Sequence, residues 1–215
     1  MINIINMKNN ILPGLLLATN NRGKLKEFSS LFADLPVRLV LPQDIGLDLS
    51  VEENGCTYFD NARLKAGTFS RAARMIALAD DSGLEVEALG NLPGLHSNRF
   101  AGEDLSDADR RRYLLERLNE KRSKIGPPPW KAHFHCTIVI VTPEGAVYST
   151  EGDCQGGIIE EERGSNGFGY DPIFLVPEYG CTMAELTMVQ KNQVSHRALA
   201  ARAAMPLLRK IYRIP

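Results

Sequence analysis

Apolar residues fall in short runs and periodic stripes separated by polar turns. Leu15–Thr19 is an apolar run that stops at the turn-forming Asn20-Asn21-Arg22-Gly23. From Lys24 to Phe32, Leu25, Phe28, Leu31 and Phe32 recur at helical spacing, so the opening reads strand, loop, helix. Val37–Leu41 is the next strand, closed by Pro42. Tyr58 to Arg74 carries Phe59, Ala62, Ala66, Phe69 and Ala73 along one stripe, which predicts an amphipathic helix. Met75–Ala79 is a second buried strand, ended in this reading by a turn at Asp80-Asp81-Ser82-Gly83. Leu84, Val86 and Ala88 then alternate with Glu85 and Glu87, the mark of a half-exposed strand. Ser106 followed by Asp109 opens a capped helix running to about Lys121. Ala132–Val141 is a strand of high β-propensity, and Pro143-Glu144-Gly145 folds it into a hairpin with a strand around Val147–Glu151. The final helix is capped by Ser195, and Pro206 is expected to kink or interrupt it. Strands partly separated by helices and partly in hairpins give an α/β fold, a mixed sheet with flanking helices.

Composition narrows the function classes. The chain has 215 residues, 44% hydrophobic and 24% charged, enough apolar material for one compact domain. A net charge of -1 supplies no field to hold a nucleic-acid backbone, so no nucleic-acid partner is expected. Cys56, Cys136, Cys154 and Cys181 are scattered and form no CxxC, which points to a reducing compartment rather than a zinc ribbon or a disulfide framework. No apolar run nears the ~20 residues of a membrane span. The opening MINIINMKNNILPG lacks the apolar core of a secretory signal. The expectation is a cytoplasmic protein with an extension over residues 1–14 and one domain over 15–215.

Five stretches hold residues suited to chemistry. Thr19-Asn20-Asn21-Arg22-Gly23-Lys24 links a strand to a helix, where backbone N–H groups and Lys24 favour a phosphate; a plain Asn-rich turn fits as well. Lys24 is expected to stand exposed. At Asp80-Asp81-Ser82-Gly83, adjacent carboxylates call for a cation or a shared proton, and hard oxygen ligands suit Mg²⁺. Glu52-Glu53 gains interest as a partner for that metal. In Gly164–Pro172, glycines permit close backbone approach around Gly169, Phe168 and Tyr170 offer flat faces to a base, and Asp171 accepts hydrogen bonds. Lys191 with Ser195-His196-Arg197 makes a second anion or base-edge site. His133 and His135 sit two apart on a strand with no third metal ligand at usable spacing.

In order, ATNNRGKLKEF, VEENGCTYFDNARLKA, ADDSGLEVEALGNLPGLHSNRFAGED, FHCTIVIV, GFGYDPIF and MAELT…K…SHR resemble the inosine/xanthosine triphosphate pyrophosphatase family over nearly the whole chain from Leu15. Asn98 departs from that pattern, where Ala is usual. The resemblance implies a two-lobed α/β fold with a cleft between the lobes, a homodimer, Mg²⁺ dependence, and hydrolysis of ITP, dITP or XTP to the monophosphate plus pyrophosphate. It implies that Thr19 to Lys24 hold phosphate, that Asp81 is base and metal ligand, and that Glu53, or else Glu52, completes the metal site. Ser82, Phe168 to Asp171, Lys191, His196 and Arg197 would contact the substrate. Residues alone do not separate Asp80 from Asp81 as the base. The alternative reading is a non-catalytic regulator that binds purine nucleotides.

Overall fold

A computed structural model describes residues 12–102 and 105–214. The expected N-terminal extension lies, up to residue 11, outside the described residues. The chain runs β1 (Gly14–Leu17), α1 (Arg22–Leu31), β2 (Arg38–Val40), α2 (Tyr58–Ala73), β3 (Ala77–Val86), β4 (Leu92–Pro93), α3 (Asp107–Glu120), α4 (Arg122–Ile125), β5 (Trp130–Val141), β6 (Val147–Ile158), β7 (Phe174–Val176), β8 (Cys181–Thr182), α5 (Met188–Val194) and α6 (His196–Tyr212). One sheet orders the strands β2-β1-β3-β5-β6-β7-β8, with β4 added to β3. β1 is parallel to both β2 and β3, and the remaining pairs are antiparallel, so the sheet is mixed.

The alternation of strand side chains sorts the core into layers. On one face Leu15, Leu17, Leu78, Cys136, Ile138 and Ile140 meet Phe28 of α1, Phe32 at its C-terminal cap, and Ala200, Ala201, Ala204 and Leu208 of α6. On the other, Leu16, Ala77, Ala79, Val139 and Val141 meet Ala62, Ala66 and Phe69 of α2. Each Leu or Phe fully buried there contributes about 2 kcal/mol. The far halves of β3 and β5 belong to a third cluster, in which Leu84, Val86, Trp130 and Phe134 pack with Leu114 and Leu118 of α3 and with Ile173 and Phe174. These two halves of the long strands are the two lobes.

Two expectations are corrected. Asp80-Asp81-Ser82-Gly83 is not a turn but the middle of β3, paired to β5 in register Asp80↔Ile138 through Gly83↔His135. The β5 ladder satisfies alternate backbone groups of this polar stretch, side chains take the Asp80 carbonyl and the Ser82 N–H on the other edge, and Gly83 is required because a Cβ would meet the Gly94 carbonyl and lie 2.5 Å from Tyr58 Oη. Likewise α6 runs uninterrupted through Pro206. Pro206 and Arg202 are both exposed, so the carbonyl that loses its helical partner faces water. β6 also extends past the expected Glu151 to Ile158.

Candidate active site

Because β3 continues through the acidic pair, Asp80 and Asp81 point to opposite faces and each finds its own partners. Asp80 lies on the α1/α6 face. Lys24 Nζ is 2.9 Å from Asp80 Oδ2, and Arg197 Nε donates to the same oxygen at 3.1 Å. Burial alone would raise the Asp80 carboxyl; the Lys24 and Arg197 charges outweigh it and hold the group well below the usual carboxylate range. Arg197 also donates to Glu27 Oε2 at 2.6 Å and to Ser82 Oγ at 2.9 Å. Glu27 accepts an ion pair from Lys191 at 2.7 Å, and Lys191 reaches Asp171 Oδ2 at 2.6 Å. Buried cations and carboxylates thus alternate from α1 through β3 to the glycine-rich loop. Lys24 is 7% exposed, against the expectation of a free cleft lysine, because Asp80 draws it into the sheet.

Asp81, on the α2 face, is 4% exposed. Its Oδ2 accepts Asn61 Nδ2 at 3.0 Å and its Oδ1 accepts the Ser82 N–H at 3.0 Å. Burial pushes its carboxyl above the usual range, and Glu53's charge adds to that, against the pull of Lys65 and Lys24. Lys65 Nζ joins Glu53 Oε1 at 3.0 Å to the Asp80 carbonyl at 2.9 Å. Glu53 is half-buried while Glu52 is exposed, so the fold brings Glu53 to this cluster. Among the described residues no group of three or more His, Cys, Asp or Glu forms a self-sufficient metal cage. Two hard carboxylates, one of them with a raised pKa, fit a Mg²⁺ that keeps waters and is shared with phosphates.

The two faces communicate around an open strand edge. β1 pairs with β3 only through Leu78, and β4 takes up the same edge from Glu85. Between them no strand among the described residues pairs with this edge, and the Asp80 carbonyl there receives both Lys65 and Lys24. The loop after β1 borders this gap. Asn21 caps α1 by accepting from the Gly23 and Lys24 N–H groups at 2.8 and 3.1 Å, and Thr19 Oγ1 accepts from the Asn21 N–H at 3.1 Å. Asn20 and Arg22 are exposed.

A pocket opens on the Ser82 side of the gap, with Ser82, Phe134, Phe168, Tyr170, His196 and Arg197 among its walls. The Phe168 ring lies against Gly23, where a Cβ would stand 2.6 Å from it, and covers Lys191 and Arg197 at 5.4 and 5.6 Å from its centroid. Its backbone N–H donates to Asp171 at 3.0 Å, and Tyr170 Oη donates to the Ser97 carbonyl at 3.0 Å. His196 stacks on Phe134 with ring centroids 4.7 Å apart. Burial, with Arg197 beside it, drives its pKa well down, so the imidazole is neutral, and its buried Nδ1 has no hydrogen-bond partner.

The fold therefore brings Lys24, Ser82, Phe168, Asp171, Lys191, His196 and Arg197 together on one side of β3 and Glu53 toward Asp81 on the other, with Asp80 tied up in ion pairs and Asn20, Arg22 and Glu52 exposed. Sequence reasoning missed Glu27, Asn61 and Lys65. Their signal was available in part: Asn61 and Lys65 are four apart on α2 and flank the buried stripe Ala62 and Ala66, an odd place for an amide and an ammonium. His133 and His135 share the α2 face, half-buried, the latter held between Asp153 at 2.7 Å and Thr137 at 2.9 Å.

Known proteins resemble this chain in sequence and fold. The dITP/XTP pyrophosphatase of Desulforamulus reducens is 44% identical over 200 residues, covering 92% of this chain and 96% of that protein. The protein of the same name from Geobacillus kaustophilus is 44% identical over 190 residues, 86% of this chain and 89% of its own. Among solved structures, a HAM1 protein from Coxiella burnetii superposes with a TM-score of 0.82 at 36% identity, covering 92% of this chain and 99% of that one. The Staphylococcus aureus Ham1 protein gives 0.78 at 37% identity, over 92% of this chain and 98% of that one. The Ham1 family pattern matches residues 15–207, and the chain belongs to that family.

Proposed function

We propose that the protein hydrolyses non-standard purine nucleoside triphosphates, ITP, dITP and XTP, to the monophosphate and pyrophosphate. The carrying observation is an aromatic-walled pocket lined by Ser82, with a buried carboxylate of raised pKa, Asp81, next to it on the same open-edged strand. The base would lie against Phe168 and His196, with Ser82 and Tyr170 lining its pocket, and the phosphates would follow the edge past Thr19 to Lys24 toward Asp81. Asp81 would accept the proton of the water that attacks the α-phosphorus; the raised pKa brings it closer to the pH at which general bases work best. Asn61 holds its carboxylate in place. Lys65 and Arg22 offer charge to the departing pyrophosphate, the species with most charge to compensate. Glu53 and Asp81 would hold Mg²⁺, which when bound neutralises phosphate charge.

Selectivity follows from pairing. The 6-oxo group of hypoxanthine or xanthine accepts hydrogen bonds from the neutral His196, the Arg197 N–H groups left over from Asp80, Glu27 and Ser82, or backbone N–H. An adenine amine would leave those donors unpaired, a mismatch that rejects substrates by ~10⁴ or more. Nothing observed favours a non-catalytic regulator, which has no need of a pKa-shifted acid beside the phosphate path.

The test is product analysis with ITP, dITP, XTP, GTP and ATP in the presence of Mg²⁺. Pyrophosphate from ITP and XTP but not ATP, abolished by EDTA, is expected; release of orthophosphate, or equal turnover of ATP, would overturn the assignment. No helix among the described residues is long and apolar enough to cross a membrane, and we place the protein with its nucleotide substrates in the cytoplasm. We further propose a homodimer. Light scattering at micromolar concentration should give twice the 23.8 kDa chain mass, and a monomeric mass would refute it.

A further inference from the structure

The loop carrying Phe168 and Tyr170 is tied through Asn166 to the Ala184 and Leu186 carbonyls and through Phe168 to Asp171, and beyond these by an element outside the pocket. Gly164, Gly167 and Gly169 all hold positive φ, at 81, 80 and 62°, and no helix or strand pairing fixes the backbone from Ser165 to Gly169. Yet both backbone polar groups of Gly169 are held by one helix. Its N–H donates to Asp107 Oδ2 at 2.8 Å, and its carbonyl accepts from Arg111 Nη1 at 2.7 Å. Asp107 and Arg111 stand four apart on α3 and so share a face.

Each arm of this clamp is itself oriented by a second charge. Asp107 Oδ1 accepts Arg110 Nη1 at 2.8 Å, leaving Oδ2 for Gly169. Arg111 Nε and Nη2 fork onto the two carboxylate oxygens of Glu162, each at 2.9 Å, leaving Nη1 for the carbonyl. The Arg111 side chain is only 11% exposed, so its bond to the Gly169 carbonyl competes little with water, while Glu162 and Asp107 are each 45% exposed. Neither residue lines the pocket.

We propose that Asp107 and Arg111 are positioning residues for the purine base. By holding the peptide groups on either side of Gly169, they fix the neighbouring Phe168 ring and Tyr170, the aromatic wall on which base binding and discrimination depend. This inference rests on the pyrophosphatase reading above. The clamp acts on the base wall and makes no bond to Asp81, Glu53 or Lys65. Its loss therefore weakens substrate binding and base discrimination more than the chemical step.

The experiment compares Asp107→Ala, Asp107→Asn, Arg111→Ala and Arg111→Lys with the wild type. The readouts are kcat and KM for ITP and ATP, the Kd of IMP by titration calorimetry, and thermal unfolding. A charge-assisted hydrogen bond is worth enough that each alanine variant should raise KM for ITP and Kd for IMP by about tenfold. Their kcat for ITP should stay within about threefold of the wild type, and the ITP/ATP ratio of kcat/KM should fall. Asp107→Asn keeps an acceptor for the Gly169 N–H and should stay near the wild type. Arg111→Lys keeps a charge but not the fork, and should fall between. Unchanged KM and Kd in both alanine variants would overturn the proposal. So would an Asp107→Asn defect as large as that of Asp107→Ala, or a kcat loss that tracks a fall in Tm while KM holds. A wild type that binds IMP but releases no pyrophosphate from ITP overturns the pyrophosphatase reading alone, since the Kd series still reads the clamp. A wild type that binds no IMP overturns both.

Discussion

Neighbouring acids on one strand have opposite fates here because strand side chains alternate. Asp80 is sunk among Lys24 and Arg197 and has a depressed pKa, whereas Asp81 meets only one ammonium-rich flank and has a raised one. On the proposed roles, Asp81→Asn should abolish turnover, lowering kcat ~10²-fold or more, because it would remove both a proton acceptor and a metal-binding charge. The same change relieves a buried charge that the fold disfavours, so Tm should hold or rise. Turnover above about a tenth of the wild type, in steady-state assays, would contradict the base assignment. Lys24→Ala has a different expected outcome. It strips one of two cations from a buried carboxylate, which should cost about 3 kcal/mol in urea unfolding, the low end for a broken buried pair because Arg197 remains. An unchanged unfolding midpoint with raised KM would restore the reading of Lys24 as a solvated phosphate ligand. The sequence pointed to Lys24 and Asp80 as residues of interest, but a lysine beside a turn-like Asn-Gly segment carries no sign of a carboxylate that joins it from 56 positions away.

At the scale of elements, what places the pocket is how closely α6 lies on the sheet. Gly152 of β6 sits under the first turn of α6. A Cβ there would meet the His196 carbonyl and stand 2.5 Å from the Ala200 backbone nitrogen and 2.8 Å from Leu199 Cβ. Backbone cannot yield as a flexible side chain can, and α6 is pinned by Arg197 to Asp80, Glu27 and Ser82. Gly152→Ala should thus destabilise by roughly 2 kcal/mol through overpacking and raise KM as His196 and Arg197 shift. Urea unfolding with unaltered midpoint would show that the helix has room to move. Most elements were readable from periodicity: α1, α2, α3 and the β5–β6 hairpin match their apolar spacing. The continuity of β3 was not. Four consecutive residues that favour turns look like a break, and only the ladder to β5, more than fifty residues on in the chain, overrides that local preference.

For the whole molecule, buried ion pairs couple the lobes, with Lys191 joining Glu27 of α1 to Asp171 of the glycine-rich loop. Burial alone would raise Glu27, but Arg197 and Lys191 outweigh it and hold the carboxyl below its usual value, as Lys24 and Arg197 do for Asp80. A depressed carboxylate contributes stability that is present above its unfolded pKa, about 4, and is lost as pH falls through the folded value. Tm should therefore drop steadily below about pH 4 in thermal scans; a profile flat to pH 3 would mean that these pairs contribute nothing net. The sequence by itself determined the α/β class, the order of most elements and the stretches from which the site is drawn, because apolar periodicity, caps and glycine-rich turns are local properties. Only the tertiary structure decided which acid is paired and which has its pKa raised. It also brought Glu27, Asn61 and Lys65 to the acidic pair and set the pocket beside Ser82, next in β3 to the buried Asp81. Those outcomes depend on strand pairing and burial between residues far apart in the chain, and no local pattern encodes the charge environment that such pairing creates.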